Sequence, residues 1–149
     1  MKFRIAVSQE TYDDVKEYLE AHGVETDDQA EYMITETSRY PVFLSVRDAG
    51  RRQIRLSAQE VIFIEAFGKD IEIHTDQDIF YAVDRMYQLE QMLDPQEFLR
   101  ISKSVIISKK HVRKIRPSLS MKFILTMTDG TLVDVTRSYC SEFRRFFGI

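Results

Sequence analysis

The segment VIFIEAFGKDIEIHTDQDIFYAV, residues 61–83, decides how the fold is interpreted. It holds three apolar stretches of strand length, with bends between them at Gly68 and Asp76. The stretches are VIFIEA (61–66), IEIHT (71–75) and DIFYAV (78–83). Strand-length stretches separated by turn residues at this spacing are typical of neighbouring antiparallel strands. We therefore expect an antiparallel sheet at the centre of the chain.

The same pattern of short strands continues on both sides of this segment. The flanking strands are VFLSVR (42–47), RQIRLS (52–57), FLRIS (98–102), SVIIS (104–108), MKFILTM (121–127) and LVDVT (132–136). A hairpin is predicted at residues 128–131, because the central Asp-Gly pair tolerates the positive φ angles of a tight turn. The chain from residue 42 onward is therefore predicted to be mainly β.

Two short helices interrupt these strands. Residues 84–93 repeat apolar side chains at helical spacing, and Asp94-Pro95 ends the pattern. The last segment, 137–147, is amphipathic and begins its helix at Arg137. Its spaced aromatic residues are Tyr139, Phe143, Phe146 and Phe147. The predicted fold class is thus mainly β with one or two short helices.

The beginning of the chain has a different pattern, a small β-α-β extension. Strands are predicted at 3–7 and 32–36, with a helix at 11–21 between them. Thr11 and Asp14 have the spacing of a capping box at the start of that helix. We place the boundary after this unit at the Tyr40-Pro41 step, which gives an extension over 1–41 and a main domain over 42–149.

Charge divides the chain unevenly. The whole sequence has 149 residues and a formal net charge of -3. Residues 1–99 carry 10 Lys/Arg against 21 Asp/Glu, whereas residues 100–149 carry 11 against 3. Such a division favours a polyanion-binding end and a second part with another role. The alternative is a basic patch that pairs with the acidic part of the same molecule.

Several classes of protein are disfavoured. A hydrophobic content of 44% and a charged content of 30% are ordinary for a globular protein. No run of apolar residues is long enough to cross a membrane, and the N-terminus lacks the apolar core of a signal peptide. We find no nucleophile, dinucleotide or phosphate-loop motif, no metal-ligand spacing, and a single cysteine, Cys140. We therefore expect a cytoplasmic protein that is not an enzyme and needs no metal or cofactor.

The basic end of the chain places its cations beside predicted strands. Lys103 lies between two serines, Lys109 and Lys110 follow a strand, and Arg137 precedes the last helix. Side chains that begin at fixed strand ends are suited to phosphate contacts, and an arginine can fork onto guanine. Lysines at sheet edges also guard against aggregation, so spacing alone leaves both interpretations open.

Three segments in order give the chain a resemblance to a known family. They are VIFIEAFGKDIEIHT (61–75), LEQMLDPQEFLRISKSVIIS (89–108) and DGTLVDVTRSY (129–139). They resemble the LytTR-type DNA-binding domain of the LytR/AlgR family of bacterial transcription regulators, over roughly residues 42–148. That resemblance implies about ten strands in three stacked antiparallel sheets. It also implies loops that enter successive major grooves of duplex DNA on direct repeats, often with bending of the DNA.

The resemblance also assigns the candidate DNA contacts. The loop after the Ile-Glu-Ala step offers Lys69, and the Phe-x-Arg segment offers Lys103. The arginine before the last helix corresponds to Arg137, which we expect to read a base. The full set of candidate DNA-binding residues is Lys69, Arg100, Ser102, Lys103, Ser104, Lys109, Lys110, Arg137 and Ser138. Asp70 departs from the expected chemistry, since phosphate repels an acid, although a carboxylate can accept from a cytosine amine.

The extension over 1–41 does not match the receiver domain that many members of the family carry. We expect a stand-alone regulator, whose extension serves dimerisation or docking, or else covers a sheet edge. The expected partners are duplex DNA, a second copy of the chain, and a small membrane regulatory protein, the last implied by the resemblance alone. The alternative function is a protein-interaction module whose basic C-terminal face docks on an acidic partner.

Overall fold

A computed structural model describes residues 1–36 and 40–149. The chain folds as two compact units, Met1–Arg39 and Tyr40–Ile149. The division falls beside the Tyr40-Pro41 step. Residues 37–39 of the predicted extension lie outside the described part of the chain.

The first unit is a small parallel sheet with one helix. Its elements are β1 (Lys2–Ala6), α1 (Gln9–Ala21), β2 (Glu25–Thr26) and β3 (Tyr32–Thr35). The strand order is β2-β1-β3, and Phe3 of β1 is in register with Thr26 on one side and Tyr32 on the other. The two-residue strand β2 was not predicted, because it is too short to produce an apolar pattern.

Helix α1 begins two residues earlier than its predicted start at Thr11. Ser8 precedes the first helical residue, and the Thr11 backbone N–H donates to the Ser8 carbonyl at 3.1 Å. Thr11 therefore lies inside the first turn, so the capping box expected from Thr11 and Asp14 is not formed there. Ser8 is a residue type that is favoured immediately before a helix, which accounts for the shift.

The second unit contains ten strands and two short helices, and the predicted mainly β fold class is confirmed. Its elements are β4 (Phe43–Arg47), β5 (Gln53–Ser57), β6 (Phe63–Phe67), β7 (Asp70–His74), β8 (Ile79–Ala82), α2 (Met86–Met92), β9 (Phe98–Arg100), β10 (Val105–Ser108), β11 (Val112–Pro117), β12 (Phe123–Met127), β13 (Leu132–Val135) and α3 (Cys140–Phe147). All strand pairs in this unit are antiparallel.

Hydrogen bonding joins these ten strands into two sheets rather than the three that the resemblance implied. One sheet has seven strands in the order β5-β4-β8-β7-β6-β10-β9, and the other has the order β11-β12-β13. The link between β4 and β8 consists of only two residue pairs, Val46 with Ala82 and Arg47 with Tyr81. This short link merges what would otherwise be separate sheets.

The sequence pattern predicts no strand at β11, which carries the basic residues Arg113, Lys114 and Arg116. It is an edge strand whose sequence, VRKIRP, contains three cationic residues among its six. A register shift between Val112 and Lys114 breaks the strict alternation of buried and exposed residues. A strand is recognised in a sequence by its alternation of apolar and polar residues. A bulged edge strand with several charges lacks that alternation and is therefore not predicted.

The core has two parts, separated by strands β6 and β10. Ile64 and Ile106 are buried in one apolar cluster, whereas their neighbours Phe63 and Ile107 are buried in the other. Successive side chains of a strand point to opposite faces, so both faces of these strands are covered. This explains why their sequences are almost continuously apolar. Phe143 of α3 is fully buried in the second cluster and holds the final helix against the smaller sheet.

Candidate nucleic-acid interface

The loop between β9 and β10 exposes Lys103, and the side chain of Arg100 holds the loop backbone through hydrogen bonds. The Arg100 guanidinium donates from Nε to the Ser102 carbonyl at 3.1 Å and from Nη2 to the Lys103 carbonyl at 2.5 Å. Its Nη1 donates to Glu90 Oε2 at 3.0 Å. The Lys103 side chain itself is exposed. The loop backbone is therefore held by an arginine, while the lysine at its tip projects into solvent.

Two of the candidate DNA-binding residues, Arg100 and Ser102, already have hydrogen-bond partners within the protein. The Arg100 side chain is only 21% exposed, and its three donor nitrogens all have protein partners. Ser102 is buried and its hydroxyl accepts from the Ser104 N–H at 3.2 Å. Both residues hold Lys103 in place instead of offering free groups to a ligand. Residue spacing in the sequence does not distinguish residues that hold the loop, such as Arg100 and Ser102, from Lys103, whose side chain the loop exposes.

The turn between β6 and β7 is joined directly to this loop. The Ala66 N–H donates to the Ser104 carbonyl at 2.8 Å. Phe67 and Asp70 are paired across the hairpin, and Gly68 adopts a positive φ of 62° that allows the two-residue turn. Lys69 is exposed at the end of this hairpin.

The segment before α3 is joined to the same loop from the other side. The Thr136 N–H donates to the Ile101 carbonyl at 3.0 Å. A 3₁₀ turn, Arg137–Tyr139, follows, so the first residues of the predicted final helix are not α-helical. Arg137 and Ser138 are exposed, and within the described residues the Arg137 guanidinium has no hydrogen bond or ion pair.

Two backbone hydrogen bonds thus bring three predicted contact segments to one place. We call this the three-loop surface and define it by Lys69, Lys103 and Arg137. The hydrogen bonds run from Ala66 to Ser104 and from Thr136 to Ile101. The surface offers three cationic heads on a backbone that is fixed by strands.

Lys109 and Lys110 lie at the opposite end of β10 from Lys103. Four strand residues separate the two ends, a length of roughly 13 Å. The Lys109 ammonium lies 4.9 Å from the centre of the Phe146 ring, and the Lys110 ammonium donates to Gln59 Oε1. These lysines belong to a 3₁₀ turn, Lys109–His111, and are not part of the three-loop surface.

Other exposed residues near the basic end were absent from the candidate set. Arg113, Lys114 and Arg116 are exposed on the edge strand β11. The hairpin after it passes close to the start of α3, where Cys140 Sγ lies 3.6 Å from the Met121 carbonyl oxygen. Phe67, beside the Gly68-Lys69 turn, is also exposed. Its position before that turn was the only sequence signal for the exposure.

The described residues contain no group of three or more His, Cys, Asp or Glu side chains that is arranged to hold a metal. His74 lies 3.1 Å from Glu72 and stacks on Phe63, and His111 contacts Thr128 and the Gln59 carbonyl. In the same described ranges, no helix combines the length and apolar character needed to span a bilayer.

Comparison with known proteins gives evidence on the family and the fold of this chain. The sequence model of the LytTr DNA-binding domain matches residues 51–148. A LytTr DNA-binding domain from Bacillus cereus has a similar solved structure, with a TM-score of 0.69 and 24% sequence identity. That match covers 73% of this chain and 99% of the solved chain. The structural likeness is evidence for the fold.

Curated relatives match over the same region. The transcriptional regulatory protein LytR of Staphylococcus aureus (strain N315) is 27% identical over 94 residues, covering 63% of this chain and 38% of LytR. The sensory transduction protein LytT of Enterococcus faecalis is 27% identical over 101 residues, covering 67% of this chain and 42% of LytT. The chain thus spans about two fifths of the length of these relatives.

Proposed function

Because the chain belongs to the LytTR family of DNA-binding domains, which is not a family of enzymes, we propose that it is a bacterial transcription regulator acting in the cytoplasm. We propose that it binds duplex DNA through the three-loop surface. The observation that carries this proposal is the pair of backbone hydrogen bonds that hold the segments of Lys69, Lys103 and Arg137 together. Cationic heads on a fixed backbone suit the regular array of phosphates and bases in a duplex.

Each loop has a distinct part in this proposal. Arg137 reads guanine, because its guanidinium has no hydrogen-bond or ion-pair partner in the described part of the chain and its backbone is fixed by the Thr136 hydrogen bond. Lys69 enters a neighbouring major groove, and Lys103 contacts the backbone or the minor groove between them. Arg100 and Ser102 are positioning residues that shape the Lys103 loop. Ser138 contributes a phosphate contact beside Arg137.

Lys109 and Lys110 extend the contact to phosphates further along the duplex. Their present partners are an aromatic ring and an amide oxygen, and neither neutralises the lysine charge. Both lysines therefore keep a positive charge that attracts the DNA phosphates. We expect them to add affinity without sequence preference.

The arrangement of the complex is part of the same proposal. We propose that two copies occupy direct repeats, and that the predicted extension over 1–41, which contains the first unit, joins the copies or docks on a regulatory partner. In the described residues of that unit, no side chain is fully buried, and Tyr32 and Met33 are about half exposed. Association would remove this apolar surface from water. A small membrane protein is the docking partner that we would test first.

Selection of bound duplexes from a random DNA pool tests the proposed function. The full-length chain should recover a motif with two similar half-sites about one helical turn apart. Binding that shows no motif and disappears as salt rises would contradict sequence-specific recognition. The recovered motif also supplies the duplex on which variants of the chain are compared.

The edge strand β11 favours one alternative function, a protein-interaction module. The outer edge of β11 pairs with no other strand that the structure describes, and Arg113, Lys114 and Arg116 give it a basic character that suits an acidic protein. Competition distinguishes the two functions. A specific duplex should displace an acidic protein bound at the three-loop surface, whereas a protein bound at β11 should remain in place.

A further inference from the structure

Phe67 is a large apolar residue at the tip of the hairpin that carries Lys69. Its side chain is 68% exposed, although it occupies the last position of a strand whose first residues are buried. Within the described residues, the ring stacks on no other ring and lies under no cation. A single exposed apolar residue is common on protein surfaces, so exposure alone assigns nothing. The position of Phe67 beside Lys69, at the three-loop surface, is what indicates a role.

The backbone fixes where this ring lies. Phe67 is paired with Asp70 across the hairpin, and the preceding Ala66 is bonded to the Ser104 carbonyl at 2.8 Å. The turn residues Gly68 and Lys69 complete the tip. The ring therefore stands beside Lys69 on a hairpin that is anchored to the Lys103 loop, and binding would need little ordering of the backbone.

The chemistry around the ring selects the part of a duplex that it meets. An aromatic ring offers nothing to a phosphate, and the Asp70 carboxylate across the hairpin repels one. A phosphate contact on this side of the turn is thereby disfavoured. The apolar group that a duplex exposes in a groove is the thymine C5 methyl, which lies in the major groove.

We propose that Phe67 contacts a thymine methyl group and sets a preference for thymine at one position of the binding site. This inference rests on the proposed function, because it requires a duplex at the three-loop surface. It adds to that function an apolar base contact beside the cationic ones. Asp70, on the same turn, is then placed to favour a cytosine amine at a neighbouring position.

Uracil substitution tests this contact, because it removes the methyl group and leaves base pairing intact. The selected duplex is prepared with each thymine replaced by deoxyuridine in turn, and affinity for the full-length chain is measured. One position, or two adjacent ones, should lose roughly three- to tenfold, the size expected for loss of one methyl contact. Phe67→Ala should lose a similar factor on the thymine duplex and lose no more on the uracil duplex. Phe67→Leu, which keeps an apolar side chain, should retain the preference.

The control is Phe43→Ala, because Phe43 is also an exposed phenylalanine, 48% exposed, on strand β4 near the other edge of the seven-stranded sheet. It should leave both affinities unchanged. Thermal unfolding of each variant verifies that the fold is intact. If Phe67→Ala binds as the parent does, or still distinguishes thymine from uracil at the position in question, the inference is wrong and the proposed function stands. If the parent chain selects no motif at all, both are wrong.

Discussion

The two ends of strand β10 carry cations in different ways. At one end, Lys103 projects from a loop whose backbone is held by Arg100. Arg137 follows a segment that is bonded to the same loop, and its guanidinium has no partner among residues 1–36 and 40–149. At the other end, Lys109 lies over an aromatic ring and Lys110 is bonded to Gln59. The first end fixes the backbone and leaves the charged heads free, whereas the second end engages the heads themselves. We therefore expect the first end to place its cations at defined points of the duplex, and the second end to attract phosphates without sequence preference.

The largest effect that this comparison predicts is on Arg137. Arg137→Ala should reduce affinity for the selected duplex by about ten- to a hundredfold, because a bidentate arginine–guanine contact is worth roughly 1–3 kcal/mol. Affinity for random duplex should fall far less, and thermal stability should not change. Fluorescence anisotropy on both duplexes measures the ratio. Arg145→Ala, an exposed arginine towards the other end of α3, is the matched control. Equal losses on both duplexes would remove Arg137 from the base-reading set.

The next effect concerns the frame of the Lys103 loop. Arg100→Ala removes the donors to two loop carbonyls and to Glu90, so the free energy of unfolding should fall by about 1–2 kcal/mol. Affinity for the selected duplex should fall with it, since Lys103 is no longer held in place. Urea unfolding and duplex binding are the measurements.

Arg113→Ala serves as the control for this loop, because Arg113 is exposed on β11. A variant at Arg100 that loses affinity with no change in stability would indicate a direct contact with DNA instead of a positioning role. Such a result would place Arg100 with Arg137 among the residues that contact DNA.

The smallest effect belongs to the other end of β10. Lys109→Ala and Lys110→Ala should each lower affinity severalfold for selected and random duplexes alike. Each should also reduce the slope of log affinity against log salt by about 0.9, the value for one lost phosphate contact. Titrations at several salt concentrations measure that slope, with Lys16→Ala in α1 as the control. An unchanged slope would mean that these lysines make no phosphate contact.

Much of the fold was predictable from sequence, and the reason lies in the central strands. Strands β6 and β10 are buried on both faces, so their runs of Val, Ile and Phe stand out against their surroundings. Strand β11 was missed because a bulge and several charges remove its pattern. The two-residue strand β2 exists only through its pairing with β1, which no local pattern records.

The candidate site was predictable in part for a different reason. The cations Lys69, Lys103 and Arg137 were expected beside strand ends, where the structure has them, and the resemblance supplied their order. Whether a cation is free or engaged depends on partners outside the local pattern, such as Glu90 for Arg100 and Gln59 for Lys110. Residue spacing carries no information about such partners. The exposure of Phe67 was not predicted for the same reason, because the residues that pack over a strand determine which of its side chains are buried.

The hydrogen bond from Thr136 to Ile101 has a consequence for the DNA as well as for the protein. Because it and the Ala66–Ser104 bond tie the three loops to neighbouring strands, the distances between their contact points are set by the sheet. If these distances are kept on binding, we expect the duplex to adjust its curvature and groove width to them. That adjustment is easiest at pyrimidine–purine steps, which deform at low energy. Bound sites should therefore favour such steps between the contacted bases, at positions that no side chain touches.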